Sequence, residues 1–271
     1  MAPLKRFGQH WLRCEQTLDT IVRTAQLSPS DVVLEIGAGT GNLTAKLLPL
    51  VKGLVVVEID RQLCAKLRRK FAGVEHLHLI EGDILRTDLT DSSALPYLPH
   101  KVVANIPYNI TGLILEKLLG TIACPTRQWQ TIVLLVQKEV GDRLTAKPQD
   151  KHKAYGALSV RAQYLAECEY ICEVPPRAFY PPPQVTSAVV RLTPRPPLHP
   201  ACDPRWFQQL LSLGFSNRRK MLYNNLDCVI ERSHLSQILQ SLGINPQARA
   251  EELSVAQWVA LANSTSPPTH V

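Results

Sequence analysis

The sequence predicts an α/β fold: a mostly parallel seven-stranded sheet with an antiparallel edge, followed by a small α-helical C-terminal domain. Three observations carry this expectation. Five short apolar runs between residues 31 and 137 recur at spacings of roughly 20–30 residues, which leaves room for one crossover helix each time. Two later runs, 170–174 and 187–192, are joined by Pro175-Pro-Arg-Ala-Phe-Tyr-Pro-Pro-Pro183, a link too short for such a helix. After Leu192 the chain passes through Thr-Pro-Arg-Pro-Pro-Leu-His-Pro, and beyond it the pattern turns helical.

Each element has its own warrant. The runs at 32–36, 54–59, 77–80, 102–104 and 131–136 are nearly continuous in Val, Ile and Leu, as strands buried on both faces are. The two later runs are expected to pair antiparallel at one edge. Helices are expected from Asp203 onward, then at 219–226, 234–242 and 254–262, the last opened by a capping box of Ser254 with Gln257. The expected domains are 1–196 for the sheet and 197–264 for the helices, with 265–271 a disordered tail.

The chain has 271 residues, 45% of them hydrophobic and 20% charged, enough to bury a full core. The first nine residues hold no apolar stretch of the secretory kind, and the apolar run at 132–136 is too short to span a bilayer. Seven scattered cysteines without a CxxC pair read as reduced thiols, so a cytoplasmic protein without membrane attachment is expected. Cys168 and Cys172 lack a second pair of ligands, and no metal is expected. The formal net charge of +7, with clusters at Lys5-Arg6, Arg68-Arg69-Lys70, Lys147 with Lys151 and Lys153, and Arg218-Arg219-Lys220, favours a polyanionic partner.

Ligands of open α/β sheets sit beyond the carboxyl ends of the strands, and there the sequence is unusual. The first strand runs into Gly37-Ala-Gly39-Thr-Gly41, glycines that let the backbone turn and approach a ligand closely. Asn42 stands where a dinucleotide fingerprint needs its third glycine, which disfavours a nicotinamide enzyme. The second strand ends in Glu58-Ile-Asp60, where an acid can accept both hydroxyls of a ribose. The third ends in Gly82-Asp83, where an acid can accept from an adenine amine. The fourth ends in Asn105-Ile-Pro-Tyr108. The Asn105 side-chain oxygen and the Ile106 carbonyl, with Pro107 fixing the turn, offer two acceptors, and the Tyr108 ring offers a stacking face. Two acceptors and a platform suit the exocyclic amine of adenine.

This order of motifs resembles the class I, Rossmann-like S-adenosylmethionine-dependent methyltransferases. With Phe7-Gly-Gln-His-Trp-Leu12, Val136-Gln-Lys-Glu139, Tyr155-Gly-Ala-Leu-Ser159, Phe179-Tyr-Pro-Pro-Pro183 and Arg219-Lys-Met-Leu-Tyr-Asn-Asn-Leu226, it is similar to the ribosomal RNA adenine N6,N6-dimethyltransferase family over nearly the whole chain. The Pro-rich loop and the Asn-Asn-Leu segment favour the branch acting on the small ribosomal subunit. The resemblance implies S-adenosylmethionine as cofactor, bound by His10, Leu12, Gly37, Gly39, Glu58, Asp83 and Asn105. It also implies dimethylation of two adjacent adenines in a hairpin loop near the 3′ end of small-subunit RNA, with Asn105, Ile106, Pro107, Tyr108 and Phe179 handling the base. Whether His10 acts through its ring or its backbone stays open, and Phe179 read without the family is equally a core anchor. Arg218, Arg219, Lys220 and Lys147 are candidates for RNA contact, with a packing lid as the other reading of the first three. A monomer acting on small-subunit RNA or the assembling subunit is expected. The alternatives are a large-subunit RNA methyltransferase and a non-catalytic RNA-binding assembly or transcription factor on the same fold.

Overall fold

The computed structural model describes residues 9–93, 95–148, 150 and 155–267. Lys5, Arg6, Phe7, Gly8, Lys151, Lys153 and the end of the expected tail, 268–271, lie outside them.

The chain divides into two compact units. The first comprises 1–118, 126–141 and 168–194 and holds the sheet. Its strands are β2 (Val32–Ile36), β3 (Gly53–Glu58), β4 (Leu77–Glu81), β5 (Lys101–Asn105), β6 (Thr131–Gln137), β7 (Ala166–Val174) and β9 (Ser187–Pro194), in spatial order β4-β3-β2-β5-β6-β9-β7. β2 pairs in parallel with β3 and β5, β3 with β4, and β5 with β6, whereas β9 runs antiparallel to β6. All seven expected strands form, within a few residues of the expected limits; β2, β3, β5, β6 and β9 are runs of mostly β-branched or leucine side chains that burial favours as strands, whereas β4 and β7 are only half-buried. β2, β3 and the middle of β6 are buried at every position.

α1 (Glu15–Thr24), α2 (Asn42–Leu47), α3 (Arg61–Lys70) and α4 (Thr111–Leu119) cover the sheet, and α5 (Lys138–Thr145) follows β6. Leu18 and Ile21 of α1 and Leu47 of α2 join Val33, Leu54 and Val103 in the core. Asp60 caps α3, its side chain accepting from the Gln62 and Leu63 amides.

One element was not expected. β1 (Trp11–Leu12) and β8 (Phe179–Tyr180) form a two-stranded antiparallel ribbon, pairing Trp11 with Tyr180 and Leu12 with Phe179. Two-residue strands carry no periodicity, so nothing in the local sequence announces them. Alternation about the ribbon sends Leu12 and Phe179 into the core and leaves Trp11 and Tyr180 on the other face.

The second unit comprises 119–125, 142–167 and 195–271. The composition boundary at 196/197 falls beside the division at 194/195, and two earlier segments join the helices as well. α6 (Ala157–Leu165), α7 (Pro204–Gly214), α8 (Leu222–Leu226), α9 (Arg232–Ser241) and α10 (Val255–Asn263) pack around Trp206, Phe207 and Trp258. The Ser254–Gln257 capping box forms. The helix expected over 219–226 begins only at Leu222, because Asn225 turns inward and donates from Nδ2 to the carbonyls of Gly214 (2.6 Å) and Asn217 (3.0 Å), holding 215–221 as a turn. Thr265, placed by composition in the tail, is tied down: its hydroxyl receives Trp206 Nε1 at 2.8 Å.

Candidate active site

A cleft of roughly 690 Å³, its open mouth included, lies beyond the carboxyl ends of β2 to β5. Ile36 and Gly37 after β2, Glu58 and Ile59 after β3, Gly82, Asp83 and Ile84 after β4, and Asn105 through Tyr108 after β5 line it, with Gln9, His10 and Trp11 closing one side. The parallel register that aligns these strand ends is what brings the four separate motifs together.

Gly37 and Gly39 adopt φ of +71° and +57°, left-handed values that favour glycine. A Cβ on Gly39 would stand 2.8 Å from the Trp11 ring, so only glycine lets the loop lie against the indole. Asn42, the residue that spoiled the dinucleotide fingerprint, opens α2 and donates from Nδ2 to the Leu12 carbonyl at 2.9 Å, tying the loop to the ribbon. Lys70 reaches back from the end of α3 and donates to the carbonyls of Thr40 and Gly41, each at 3.0 Å.

Glu58 is buried, and its two oxygens accept the amides of Gly39 (2.9 Å) and Asp60 (3.0 Å). Burial raises its pKa, and those two amide bonds pull the other way. Each carboxylate oxygen retains a lone pair, so a buried acid with no ion-pair partner among the described residues lines the cleft, an acceptor set that fits the vicinal hydroxyls of a ribose. Asp83 accepts the Leu85 amide at 2.9 Å and stands at the cleft wall. Asp60 lies behind the wall, taking Gln9 Nε2 at 3.0 Å while capping α3.

Asn105 donates from Nδ2 to the His10 carbonyl at 3.0 Å, which fixes the amide and leaves Oδ1 as an acceptor. His10 takes part through both chain and ring: its Nδ1 lies 2.8 Å from the Pro181 carbonyl, and its ring stacks on Tyr108 with centroids 5.8 Å apart. The Tyr108 hydroxyl meets Ser187 Oγ at 2.6 Å at the buried start of β9, and burial pushes the phenol pKa up, so the ring stays neutral. Ser187 is a site-supporting residue that sequence reasoning missed. It lies 79 residues from Tyr108, and no local pattern links them.

Two expected residues stand elsewhere. Phe179 is 4% exposed, packs in the core with Leu12 and Val174, and is not among the residues lining the cleft. The inward face of the ribbon claims it, and in this conformation its ring is a core anchor. Leu12 likewise buries its side chain and reaches the site through its carbonyl alone. In the second unit, Arg218 donates to the Tyr155 carbonyl at 2.7 Å and lies 3.7 Å from Glu251. Arg219 and Lys220 are exposed in the turn before α8, and Lys147 is exposed as well. Among the described residues no cluster of potential metal ligands occurs, and no helix is long and apolar enough to cross a membrane.

Comparison with known proteins agrees with this geometry. The family model described as ribosomal RNA adenine dimethylase matches residues 4–266. Ribosomal RNA small subunit methyltransferase A of Rippkaea orientalis is 58% identical over 267 residues, covering 96% of this chain and 97% of that protein. A dimethyladenosine transferase from Plasmodium falciparum superposes with a TM-score of 0.74 at 26% identity, covering 93% of this chain and 96% of the other. The 23S rRNA methyltransferase ErmE gives the same TM-score and identity, covering 94% and 98%.

Proposed function

Because the chain belongs to the ribosomal RNA adenine dimethylase family, we propose that it dimethylates the N6 amines of two adjacent adenines in a hairpin loop near the 3′ end of 16S rRNA during assembly of the small subunit. S-adenosylmethionine is the cofactor and supplies, when bound, an electrophilic methyl group on a sulfonium. The observation that carries the reading is the oriented Asn105 amide beside the Ile106 carbonyl and the Tyr108 ring, at the end of a cleft lined by Glu58 and Asp83.

Glu58 accepts the ribose hydroxyls and Asp83 the adenine amine of the cofactor, with Gly37, Gly39 and His10 shaping the pocket. The target amine is a poor nucleophile, since its lone pair is delocalised into the purine. Asn105 Oδ1 and the Ile106 carbonyl accept its two N–H groups, favouring a pyramidal nitrogen and stabilising the positive charge that develops on it. The proton is lost readily once the nitrogen is alkylated, so no charged base is required, and the neutral Tyr108 serves as platform. The monomethylated amine keeps one N–H and must turn before its second methylation. A hairpin loop suits this site because an unpaired base is extruded at low cost.

The equal TM-scores and identities to a dimethyladenosine transferase and to ErmE do not by themselves separate the two substrates. The 58% identity across 96% of the chain favours the small subunit. The intact acids and Asn105 favour an enzyme over a purely binding factor. Arg219, Lys220 and Lys147 supply phosphate contacts, Arg218 also bracing its own turn, and the protein acts as a cytoplasmic monomer. Radiolabelled methyl transfer to small subunits lacking the modification, followed by nucleoside analysis, should yield N6,N6-dimethyladenosine. Labelling of free large-subunit RNA instead, or of neither, would overturn the assignment.

A further inference from the structure

The outer face of the β1–β8 ribbon carries a second aromatic platform that the catalytic reading does not use. Tyr180 is 47% exposed, whereas its strand neighbour Phe179 is 4% exposed. Arg13, also exposed, places its guanidinium 4.1 Å from the centre of the Tyr180 ring. The backbone fixes this pair: the Arg13 amide donates to the Ala178 carbonyl at 2.8 Å, and the ribbon register sets Tyr180 opposite Trp11, with ring centres 6.5 Å apart. Among the described residues no carboxylate pairs with Arg13, so its charge is spent on an aromatic face and on whatever meets the surface there.

The pair also stands next to the base-handling wall. Tyr108 stacks on His10, His10 Nδ1 meets the Pro181 carbonyl, and Pro181 follows Tyr180 directly. A short chain of contacts therefore joins the ring that receives the flipped adenine to the segment that carries Tyr180. Exposed aromatic rings partnered by arginine are a common means of holding unstacked bases, the ring taking the base and the guanidinium the phosphate.

We infer that Arg13 and Tyr180 form a subsite for the single-stranded nucleotide adjoining the methylated adenine, Tyr180 stacking its base and Arg13 contacting its phosphate. The inference rests on the RNA-methylating function proposed above and adds the contact that holds the loop open. An unpaired neighbour is what this surface selects. A base still stacked in a duplex presents no face to Tyr180, so the subsite favours loops over helices.

The test uses the full chain, small subunits lacking the modification as probe, filter binding for RNA affinity and calorimetry with S-adenosylhomocysteine for the cofactor pocket. Tyr180→Ala should weaken subunit binding about 5-fold or more, the scale of one lost stacked base, and Tyr180→Phe should restore it. Arg13→Gln should lower the slope of log affinity against log salt by about 0.7, one phosphate contact. Neither variant should change the affinity for S-adenosylhomocysteine. Unchanged subunit binding by Tyr180→Ala and an unchanged salt slope for Arg13→Gln would overturn the subsite. So would equal losses of cofactor and RNA affinity, which would make the ring a prop for Trp11. If the unaltered protein forms no dimethyladenosine, the functional reading fails by that assay, while filter binding still decides the subsite.

Discussion

The parallel sheet buries acids at both of its ends and treats them in opposite ways. At the amino ends of β2 and β5, Asp31 receives Lys101 Nζ at 2.8 Å, His100 Nε2 at 3.0 Å and the Ser28 amide at 2.7 Å. Burial works against its ionisation, yet the hydrogen bonds from Lys101 and His100 outweigh it and hold the pKa at about 2. At the carboxyl ends, Glu35 and Glu58 are equally buried, and among the described residues neither makes an ion pair. Burial drives Glu35 up to about 8, with the Thr44 hydroxyl at 2.7 Å its one side-chain partner. An acid met by a lysine ammonium and a histidine ring is electrostatically satisfied and contributes to stability. An acid held by neutral donors alone keeps an unmet demand, which ligand hydroxyls can answer. The sheet thus separates a fastening end from a binding end.

That contrast can be broken by substitutions whose effects should not cross over. Asn105→Ala should slow methyl transfer by about 100-fold or more while the denaturation midpoint and S-adenosylhomocysteine affinity shift little. A comparable loss of stability would place Asn105 among the fastening residues. Asp31→Ala takes from the partly buried Lys101 its carboxylate, leaving only the Gln26 carbonyl, and should cost about 3 kcal/mol in urea unfolding, with cofactor affinity unchanged. Because the Asp31 pKa is depressed, its contribution is present above the unfolded carboxylate value of about 4 and is lost as pH falls through about 2, so the variant should lack that acid limb. Glu58→Gln keeps the shape but replaces one acceptor oxygen with a donor that faces an amide. It should raise the dissociation constant for S-adenosylhomocysteine by about 10-fold, and unchanged calorimetric affinity would remove Glu58 from the ribose site.

The mildest and sharpest test concerns Glu35. Its folded pKa is raised, so the stability it confers is full below the unfolded value near 4 and drains away as pH rises toward about 8. Glu35→Gln, which keeps the oxygen that accepts from Thr44, should be near neutral at pH 4, gain on the parent as pH rises, and flatten the fall in stability between pH 5 and 8. A slope equal to that of the parent protein would show that Glu35 is ionised throughout and that the two ends differ less than the geometry implies.

How much could be read without coordinates follows the same division. The strands were legible because five runs of Val, Ile and Leu leave little alternative, and Glu58, Asp83 and Asn105 were legible because each follows a strand end where ligands bind. Asn42 signalled what the glycine loop was not, but its bond to the Leu12 carbonyl depends on a partner 30 residues away. Phe179 and Tyr180 are adjacent rings, and only the ribbon register decides which one faces the core. Ser187 and the His10 carbonyl act through contacts between distant segments, which residue type and spacing do not encode. Asn225 sat inside a family motif, yet its work is to end α7, a role visible only once the carbonyls of Gly214 and Asn217 are placed.

The pairing of residues 11–12 with 179–180 also sets an order of events during synthesis. The glycine loop, Glu58, Asp83 and the Asn105 turn all leave the ribosome well before the strand that completes the ribbon. A nascent chain therefore carries most of the donor pocket while the side formed by His10 and Trp11 still lacks its β8 partner. Full capture of the methyl donor must await a segment synthesised well after the Asn105 turn.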